Sequence, residues 1–197
     1  MNEHTEQAPT QETPAKQSFW QGLGEFTRFT IIVIVIVVLV RTFIAQPFVV
    51  SGPSMVPTFQ NANYLLIDEV SYRFKQPARG DVIVFKPPYD SKIYLIKRII
   101  GLPNDTVTIK DGVVTITNTA HPEGLKLSED YTAPDMPNDN QTVTVPENMY
   151  FVMGDNRSVS YDSRRWGLLP KEDITGRVFL RLFPLSKLSL FPGEHRY

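Results

Sequence analysis

The sequence has no cysteine and only three histidines among its 197 residues. Without cysteine, disulfide bonds, thiolate metal sites and cysteine nucleophiles are excluded. Because His4 and His195 lie close to the two ends of the sequence, a Ser-His-Asp triad or a histidine-rich metal site would depend on His121 alone. We therefore expect neither histidine catalysis nor a metal site.

The sequence also lacks an excess of either charge, with 20 Lys and Arg residues, 21 Asp and Glu residues and a net charge of -1. No whole-chain basic field would attract nucleic acid, so we expect no nucleic-acid partner. A hydrophobic content of 42% is typical of a protein with a globular core. The length suits one domain of ordinary size with appendages.

Long apolar runs are scarce too, and the main one is Ile31 to Val40. Residues 26–45, which contain it, reach the roughly 20 residues that cross ~30 Å of hydrocarbon. Arg28 and Arg41 lie near the ends of this segment, where guanidinium groups can reach lipid headgroups. We predict a transmembrane helix over 26–45 in contact with a lipid bilayer, preceded by a disordered tail over 1–25.

Two other interpretations of the apolar run compete with a membrane anchor. A buried β-strand would suit its isoleucines and valines, but the run is long and has no turn residues. A cleaved secretory signal needs a small-x-small pattern, and Phe43 occupies the position two before Ala45. The few flanking charges do not decide which way the segment would cross the membrane.

After Pro57 the sequence changes to short runs rich in β-branched and aromatic residues, which predict a mainly β fold. The "KDG" between "TVTI" and "VVTIT" predicts a hairpin. Residues 118–142 are polar and rich in Pro and Asp, as in an excursion from a β core or a small subdomain. The predicted strands are "NYLLIDEV", "GDVIVFKPP", "KIYLIKRIIGLPND", "TVTIKDGVVTIT", "QTVTVPENMYFVMGD" and "GRVFLRLFP".

The stretch "SGPSMVPT", Ser51 to Thr58, follows the apolar run closely and is either a linker or a turn that presents a nucleophile. Gly52 permits an unusual backbone conformation, and Pro53 fixes φ beside Ser54. A serine nucleophile needs a base to activate it. The second interpretation therefore requires a base elsewhere in the chain.

A candidate base lies in "KIYLIKRIIG", where strand alternation places Lys97 on one face with Leu95 and Ile99. Burial among aliphatic side chains favours the neutral amine, which is a competent general base for a serine hydroxyl. The alternative is that Lys97 lies on a solvated sheet edge, and the alternation alone does not show which face is buried. Lys86 is a rival, but the two prolines after it indicate a strand end in water.

A third group of polar residues is "MGDNRSVSYDSR", in which Ser160, Asp162 and Arg164 are spaced by two. In an extended chain these side chains point to one side, so Asp162 and Arg164 could pair and leave the Ser160 hydroxyl free for another polar group. The alternative is a hairpin tip with ordinary surface charges, because "GDN" is typical of turns.

Taken together, "SGPSMVPT", "RGDVIVF", "YLIKRIIGLPND" and "GDNRSVSYDSR" resemble the sequence boxes of bacterial type I signal peptidases in order and approximate spacing. The resemblance covers roughly residues 29–184. It implies a membrane-tethered, mostly antiparallel β structure with a small inserted β subdomain. We accordingly expect an extracytoplasmic catalytic domain over 46–197 with the insertion at about 103–148.

The resemblance also implies roles for individual residues. Ser54 would be the nucleophile, Lys97 the general base and Ser160 the residue that orients the lysine amine. Asp162 and Arg164 would form a supporting ion pair, and Gly52 stands where some members of the family have a serine that contributes to the oxyanion hole. Backbone N–H groups of Gly52 and Ser54 would then stabilise the oxyanion. The supporting turn would consist of Asp155, Asn156 and Arg157.

By this resemblance we expect a monomeric, membrane-bound serine endopeptidase that cleaves signal peptides from secreted preproteins. The substrates would carry small residues before the cleavage site, and no cofactor would be needed. The enzyme would cross the cell membrane once, with its catalytic domain on the extracytoplasmic side. The alternatives are a membrane-anchored β-domain that only binds, and a self-cleaving Ser/Lys repressor-type protease, which would need a DNA-binding domain in place of the apolar segment.

Overall fold

The computed structural model describes residues 15–43, 45–134, 137 and 139–197, and it describes side chains for 23–38 and, apart from the same gaps, from 46 onwards. Contacts divide the chain into one unit that ends at Arg41 and a second unit from Thr42 to Tyr197. Each unit is described by itself below.

Helix α1, Ala15–Phe43, contains the apolar run. It begins inside the segment predicted to be a disordered tail, because Ala15, Lys16 and Gln17 are good helix formers and no proline follows until residue 47. Residues 1–14 of that tail lie outside the described residues. The predicted helix over 26–45 is wrong at its end, because α1 ends at Phe43 and Ala45 begins a strand that pairs within a sheet. The described side chains of the helix end at residue 38. Among the residues described, no helix combines the length and the hydropathy needed to cross a membrane.

The second unit is mainly β, as the strand-like runs predicted, and its sheets are antiparallel. Its helices are short, with α2 at Ser71–Phe74 and α3 at Ser163–Trp166. Two 3-10 turns lie at Lys171–Asp173 and Leu185–Lys187. The strands are β1 (Ala45–Val49), β2 (Tyr64–Asp68), β3 (Val82–Phe85), β4 (Leu95–Gly101), β5 (Thr106–Lys110), β6 (Val113–Thr117), β7 (Leu125–Lys126), β8 (Gln141–Thr144), β9 (Met149–Met153), β10 (Leu169–Pro170), β11 (Ile174–Phe183) and β12 (Ser189–Leu190).

The larger sheet has the strand order β1-β2-β11-β3-β4-β9-β10, with β12 paired to β11. β1 pairs with β2 along its whole length, although the sequence analysis assigned residues 47–50 to no strand. β4 lies between β3 and β9, with Lys97 opposite Ile83 and Arg98 opposite Met153. Because β4 is interior to the sheet, the alternative of a solvated edge for Lys97 is wrong.

The smaller sheet has the order β7-β6-β5-β8 and lies within the interval expected for an insertion. The predicted hairpin is present, with Asp111 and Gly112 at positive φ between β5 and β6. The run "QTVTVPENMYFVMGD", predicted as one strand, is divided into β8 and β9, and Pro146, which has no N–H for a ladder, lies between them. β7 lies in the polar excursion and pairs with β6.

Buried clusters of apolar side chains hold strand β4 and the 51–58 turn in place. One packs the 51–58 turn onto the large sheet through Met55 and through Phe59, the residue after the turn, which are 1% and 0% exposed. Another packs the large sheet onto the small one, with Phe151 and Ile100 among its members. A further cluster, which includes Ile83 and Ile99, lies on the face of β4 that carries Lys97. β4 is therefore covered on both faces. The first cluster consists of Val50, Met55, Phe59, Leu65, Ile67, Val82, Val84 and Val178.

Candidate functional site

Ser54 lies in the turn that connects β1 to β2. Gly52 has φ +93°, a left-handed conformation that a residue with a side chain rarely adopts. Val56 N–H donates to Pro53 O at 3.1 Å, and Phe59 N–H donates to Met55 O at 2.8 Å. With Met55 buried in the core beside it, Ser54 is held on a fixed turn rather than on a loose linker.

Lys97 reaches Ser54 from β4, with Nζ 2.8 Å from Ser54 Oγ. Nζ also donates to Ile96 O at 2.9 Å, and the residue is only 3% exposed. Burial lowers the pKa of Lys97 to about 8, against the opposing effect of the Asp162 and Asp155 carboxylates. The structure thus brings together the predicted hydroxyl and the predicted amine, and a large fraction of that amine is neutral near pH 8.

Asp155 connects the opposite face of β4 to the serine turn. Its carboxylate accepts from Arg98 Nε at 2.8 Å and from Arg98 Nη2 at 2.6 Å, and both residues are fully buried. It also accepts from the hydroxyl of Thr58, at the end of the turn that carries Ser54. Next to it, Asn156 N–H donates to Ser54 O at 3.0 Å. The 155–156 backbone and side chains therefore fix the Ser54 turn relative to β4.

Asp162 and Arg164 form the predicted ion pair, with Arg164 Nε donating to Asp162 Oδ1 at 2.8 Å and Nη2 donating to Oδ2 at 2.9 Å. The geometry differs from the extended chain that was expected, because α3 begins at Ser163 and Asp162 is its N-cap. Asp162 Oδ2 also accepts from Gly154 N–H at 2.9 Å. Asp162 therefore connects the start of the 154–164 loop, at Gly154, with its end, at Arg164.

Ser160 is buried, and its hydroxyl has no hydrogen-bond partner among the described residues. The structure therefore places Ser160 in the loop beside the site without the expected hydrogen bond to Lys97. Gly154 explains why this hydroxyl can lie so deep. A Cβ at Gly154 would lie 2.5 Å from Ser54 O and would also collide with Ser160 Oγ, so only glycine leaves room for both residues.

The two expected oxyanion donors differ from one another. Gly52 N–H donates to Asn61 Oδ1 at 3.2 Å, so this group already has an acceptor. Ser54 N–H has no acceptor in the described part of the chain. The backbone amide of Ser54 is thus the better placed donor of the two, and Gly52 acts through its conformation.

An apolar cavity of about 110 Å³ opens beside Ser54 and Lys97. Phe48 and Tyr94 form one wall, with their rings edge to face at 5.1 Å. The other lining residues include Val50, Leu65 and Val84. A cavity of this size next to the hydroxyl suits a small apolar side chain.

Sequence reasoning missed Arg98, Thr58 and Tyr131 as parts of the site. Arg98 has the same signal as Lys97, a charged residue between aliphatic neighbours in a strand, and strand alternation does not show which of the two faces is buried. The Tyr131 ring lies 3.8 Å from the Arg98 guanidinium carbon, a contact across 33 positions of sequence that no local pattern contains. Among the residues described, no group of three or more His, Cys, Asp or Glu side chains could hold a metal ion.

The chain is similar to a family of known proteins. The family model described as "Signal peptidase, peptidase S26" matches residues 23–183. The probable signal peptidase I-1 of Synechocystis sp. is 37% identical over 175 residues, which are 85% of this chain and 86% of that protein. Signal peptidase I of Leptolyngbya laminosa is 37% identical over 164 residues, 79% of this chain and 77% of that protein.

A crystal structure of a signal peptidase I from Enterococcus faecalis V583 is 35% identical in sequence and covers 53% of this chain and 97% of that chain, with a TM-score of 0.45. The family match spans most of the chain, and the identity to the curated relatives extends over most of both partners. The chain therefore belongs to the signal peptidase family, peptidase S26.

Proposed function

We propose that this chain is a serine endopeptidase that cleaves N-terminal signal peptides from secreted preproteins, with Ser54 as nucleophile and Lys97 as general base. The observation that carries the proposal is the 2.8 Å separation of Lys97 Nζ and Ser54 Oγ at a lysine that is 3% exposed. At this distance the neutral amine can accept the hydroxyl proton directly. Family membership supports the reaction class, and the geometry supports the roles of the two residues.

The reaction follows from these two groups. Neutral Lys97 takes the proton of Ser54 as Oγ attacks the scissile carbonyl, and the resulting ammonium gives that proton to the leaving amine when the C–N bond breaks. An acyl-enzyme on Ser54 remains. Lys97, neutral again, takes a proton from water, whose oxygen attacks the ester carbonyl. The bond to Ser54 breaks, and Oγ takes the proton back from the Lys97 ammonium, which returns both residues to their starting forms.

Ser54 N–H is our candidate for stabilising the oxyanion that develops on the attacked carbonyl. Two observations support this role. The Ser54 N–H has no acceptor in the described part of the chain, and the turn that carries it is fixed by hydrogen bonds. The apolar cavity lined by Phe48 and Tyr94 supports a preference for small residues before the cleavage site. Ser160 and the Asp162–Arg164 pair support the Lys97 side of the site by fixing the loop beside it.

We also propose that the part of α1 from residue 26 to residue 43 attaches the enzyme to the cell membrane in a single pass, with residues 46–197 on the extracytoplasmic side. The described side chains of α1 from Ile31 to Val38 are all apolar and 41–56% exposed, so the helix is apolar on every side. A helix of this kind is typical of a lipid environment. Flotation of the full chain with phospholipid vesicles tests the attachment, and a chain that stays at the bottom of the gradient would contradict it.

The test of the catalytic proposal is processing of a purified preprotein by the wild-type chain, Ser54→Ala and Lys97→Ala, with the new N-terminus identified by mass spectrometry. We expect cleavage after a small residue by the wild type and loss of about 10³-fold or more in either variant. Ser91→Ala is the matched control, since Ser91 is an exposed serine in the loop before β4, away from the cavity beside Ser54, and the variant should retain activity. Cleavage retained by Ser54→Ala would refute the assignment.

A further inference from the structure

Residues 129–133 of the polar excursion, here called the strap, lie against the loop that contains Asp155 and Ser160. The strap contributes a carboxylate, an aromatic ring and a backbone N–H to this contact. Ala133 N–H donates to Asp155 O at 3.1 Å. Thr132 N–H and Oγ1 both donate to Glu129 O, which folds the strap into a turn. The catalytic roles proposed above do not involve any of these residues.

Glu129 makes the central contact of the strap. Its Oε2 accepts from Arg157 Nη1 at 2.9 Å, and its Oε1 accepts from Arg157 Nη2. The side chains of Glu129 and Arg157 are 6% and 2% exposed, so the pair is almost completely shielded from water. A buried bidentate pair has one well-defined geometry, and removal of one partner leaves the other charge uncompensated.

Tyr131 connects the same carboxylate to β4. Its hydroxyl donates to Glu129 Oε1 at 2.8 Å, and its ring lies against the Arg98 guanidinium at 3.8 Å. The Tyr131 hydroxyl also contacts the hydroxyl of Tyr197. The strap therefore touches both arginines that hold the Asp155 region, Arg98 on the strand and Arg157 on the loop.

The loop transmits this contact to the nucleophile over a short path. Arg157 Nε donates to Gly154 O at 3.1 Å, which fixes the turn of residues 154–157 on the Glu129–Arg157 pair. Within that turn, Asn156 N–H donates to Ser54 O and Asp155 binds Arg98. A displacement of Arg157 would therefore move the backbone that holds Ser54 and the Asp155 carboxylate that binds Arg98.

We propose that Glu129 is a positioning residue of the Ser54–Lys97 pair, acting through Arg157 and the 154–157 turn. The inference rests on the proposed catalytic function. It extends that function to the excursion, because the strap helps to hold the 154–157 turn in place. Glu129 contacts no reacting atom, so its effect belongs to the turnover step and to the proton affinity of Lys97 rather than to substrate binding.

The experiment compares wild type, Glu129→Gln and Tyr131→Phe in the full chain. We expect Glu129→Gln to lower kcat about 10- to 100-fold through misplacement of Ser54, with KM changed by less than about twofold. The midpoint of the acid limb of the rate profile should move to higher pH, because a looser loop admits water and relieves the burial of Lys97. The charged groups that then still act on Lys97 are Asp155 and Asp162.

Tyr131→Phe provides a milder second variant, because it keeps the ring on Arg98 and removes only the hydroxyl bond to Glu129. We expect Tyr131→Phe to lower kcat and to move the midpoint of the acid limb to higher pH, both by less than Glu129→Gln does. Glu123→Gln is the matched control, since Glu123 is an exposed carboxylate of the same excursion and should behave as wild type. If Glu129→Gln does not fold, Tyr131→Phe decides the question.

Amide hydrogen exchange separates this inference from the proposed function. Exchange at Asn156, whose N–H is bonded to Ser54 O, should accelerate about tenfold or more in Glu129→Gln whether or not the preprotein is cleaved. An inactive wild type with this acceleration would defeat the catalytic proposal and leave the positioning geometry standing. Folded variants with wild-type kcat, acid limb and Asn156 exchange would overturn the role of Glu129, even if their melting temperatures were lower.

Discussion

Lys97 and Arg98 are adjacent residues of β4 whose side chains lie on opposite faces of the sheet, and they are 3% and 0% exposed. Lys97 contacts Ser54, and Arg98 contacts Asp155. Since Asp155 also binds Thr58, both faces of the strand are tied to the same turn. The separation between Lys97 Nζ and Ser54 Oγ is therefore fixed from two sides, which is what a proton transfer over one hydrogen bond requires.

The rate of cleavage should rise with pH through a midpoint of about 8. Burial lowers the pKa of Lys97 to about 8, and only the neutral amine can accept the Ser54 proton. Activity should fall about tenfold for each pH unit below that midpoint and level off above it. The measurement is kcat/KM against pH between 6 and 10, in the range where the protein stays folded. A flat profile over this range would exclude Lys97 as the base.

The same lysine should make folding stability depend on pH. The pKa of Lys97 is about 8 in the folded chain and 10.5 as a reference, so the unfolded chain binds an extra proton between these values. The free energy of unfolding therefore rises with pH across this window, and below it the buried amine costs roughly 3 kcal/mol.

Lys97→Met isolates this effect, because it removes the titrating group and keeps an unbranched apolar stem. The stability advantage of Lys97→Met over wild type should be greater at pH 7.5 than at pH 10.5 by roughly 3 kcal/mol. Urea unfolding at both pH values measures it, since all other groups are common to the two proteins. An equal advantage at both pH values would mean that Lys97 titrates normally in the folded chain.

Much of the β architecture could be predicted because β-branched runs such as those of β3 and β5 alternate with turn residues. The burial of Lys97 could not be predicted in this way. Strand alternation assigns residues to two faces but does not show that both faces of β4 are covered. Asp162 was expected in an extended chain, since α3 has only four residues and no periodicity to indicate it. Its role as an N-cap is visible only in the folded loop.

The contacts of the 118–142 excursion are harder still to predict from the sequence. Glu129 contacts Arg157, and Tyr131 contacts Arg98. These residues are far apart in the sequence and meet only in the folded chain. Ser160 shows a different limit. The resemblance predicts its place near Lys97, but the depth of its hydroxyl depends on the space left by Gly154, which no pattern of residue types reveals.

Asp155→Asn should weaken both folding and the geometry of the site. The buried Arg98 would keep its charge with a neutral partner, and such a loss costs about 3–5 kcal/mol. Because the Asp155 carboxylate raises the pKa of Lys97 in opposition to burial, its removal should also shift the acid limb to lower pH. Urea unfolding and a pH–rate profile of the same variant measure the two effects.

Glu194→Gln provides the control for Asp155→Asn. Glu194 pairs with Arg196, which is 87% exposed, so the pair is solvated and its loss should change stability little. If Asp155→Asn were as stable as Glu194→Gln, the Arg98–Asp155 pair would not be the structural link between β4 and the serine turn.

Gly154→Ala should inactivate the enzyme through a single methyl group. The added Cβ would lie 2.5 Å from Ser54 O and would also collide with Ser160 Oγ, and the first of these is backbone that cannot turn away. The serine turn or the loop must move, and a displacement of about 1 Å at the nucleophile costs about 100-fold in rate. Gly24→Ala is the control, because a Cβ there meets nothing within 4 Å and alanine favours the helix. Preprotein processing by the two variants, after circular dichroism has established that both are folded, gives the comparison, and a Gly154→Ala enzyme as active as Gly24→Ala would show that Ser54 tolerates a displacement of its own turn.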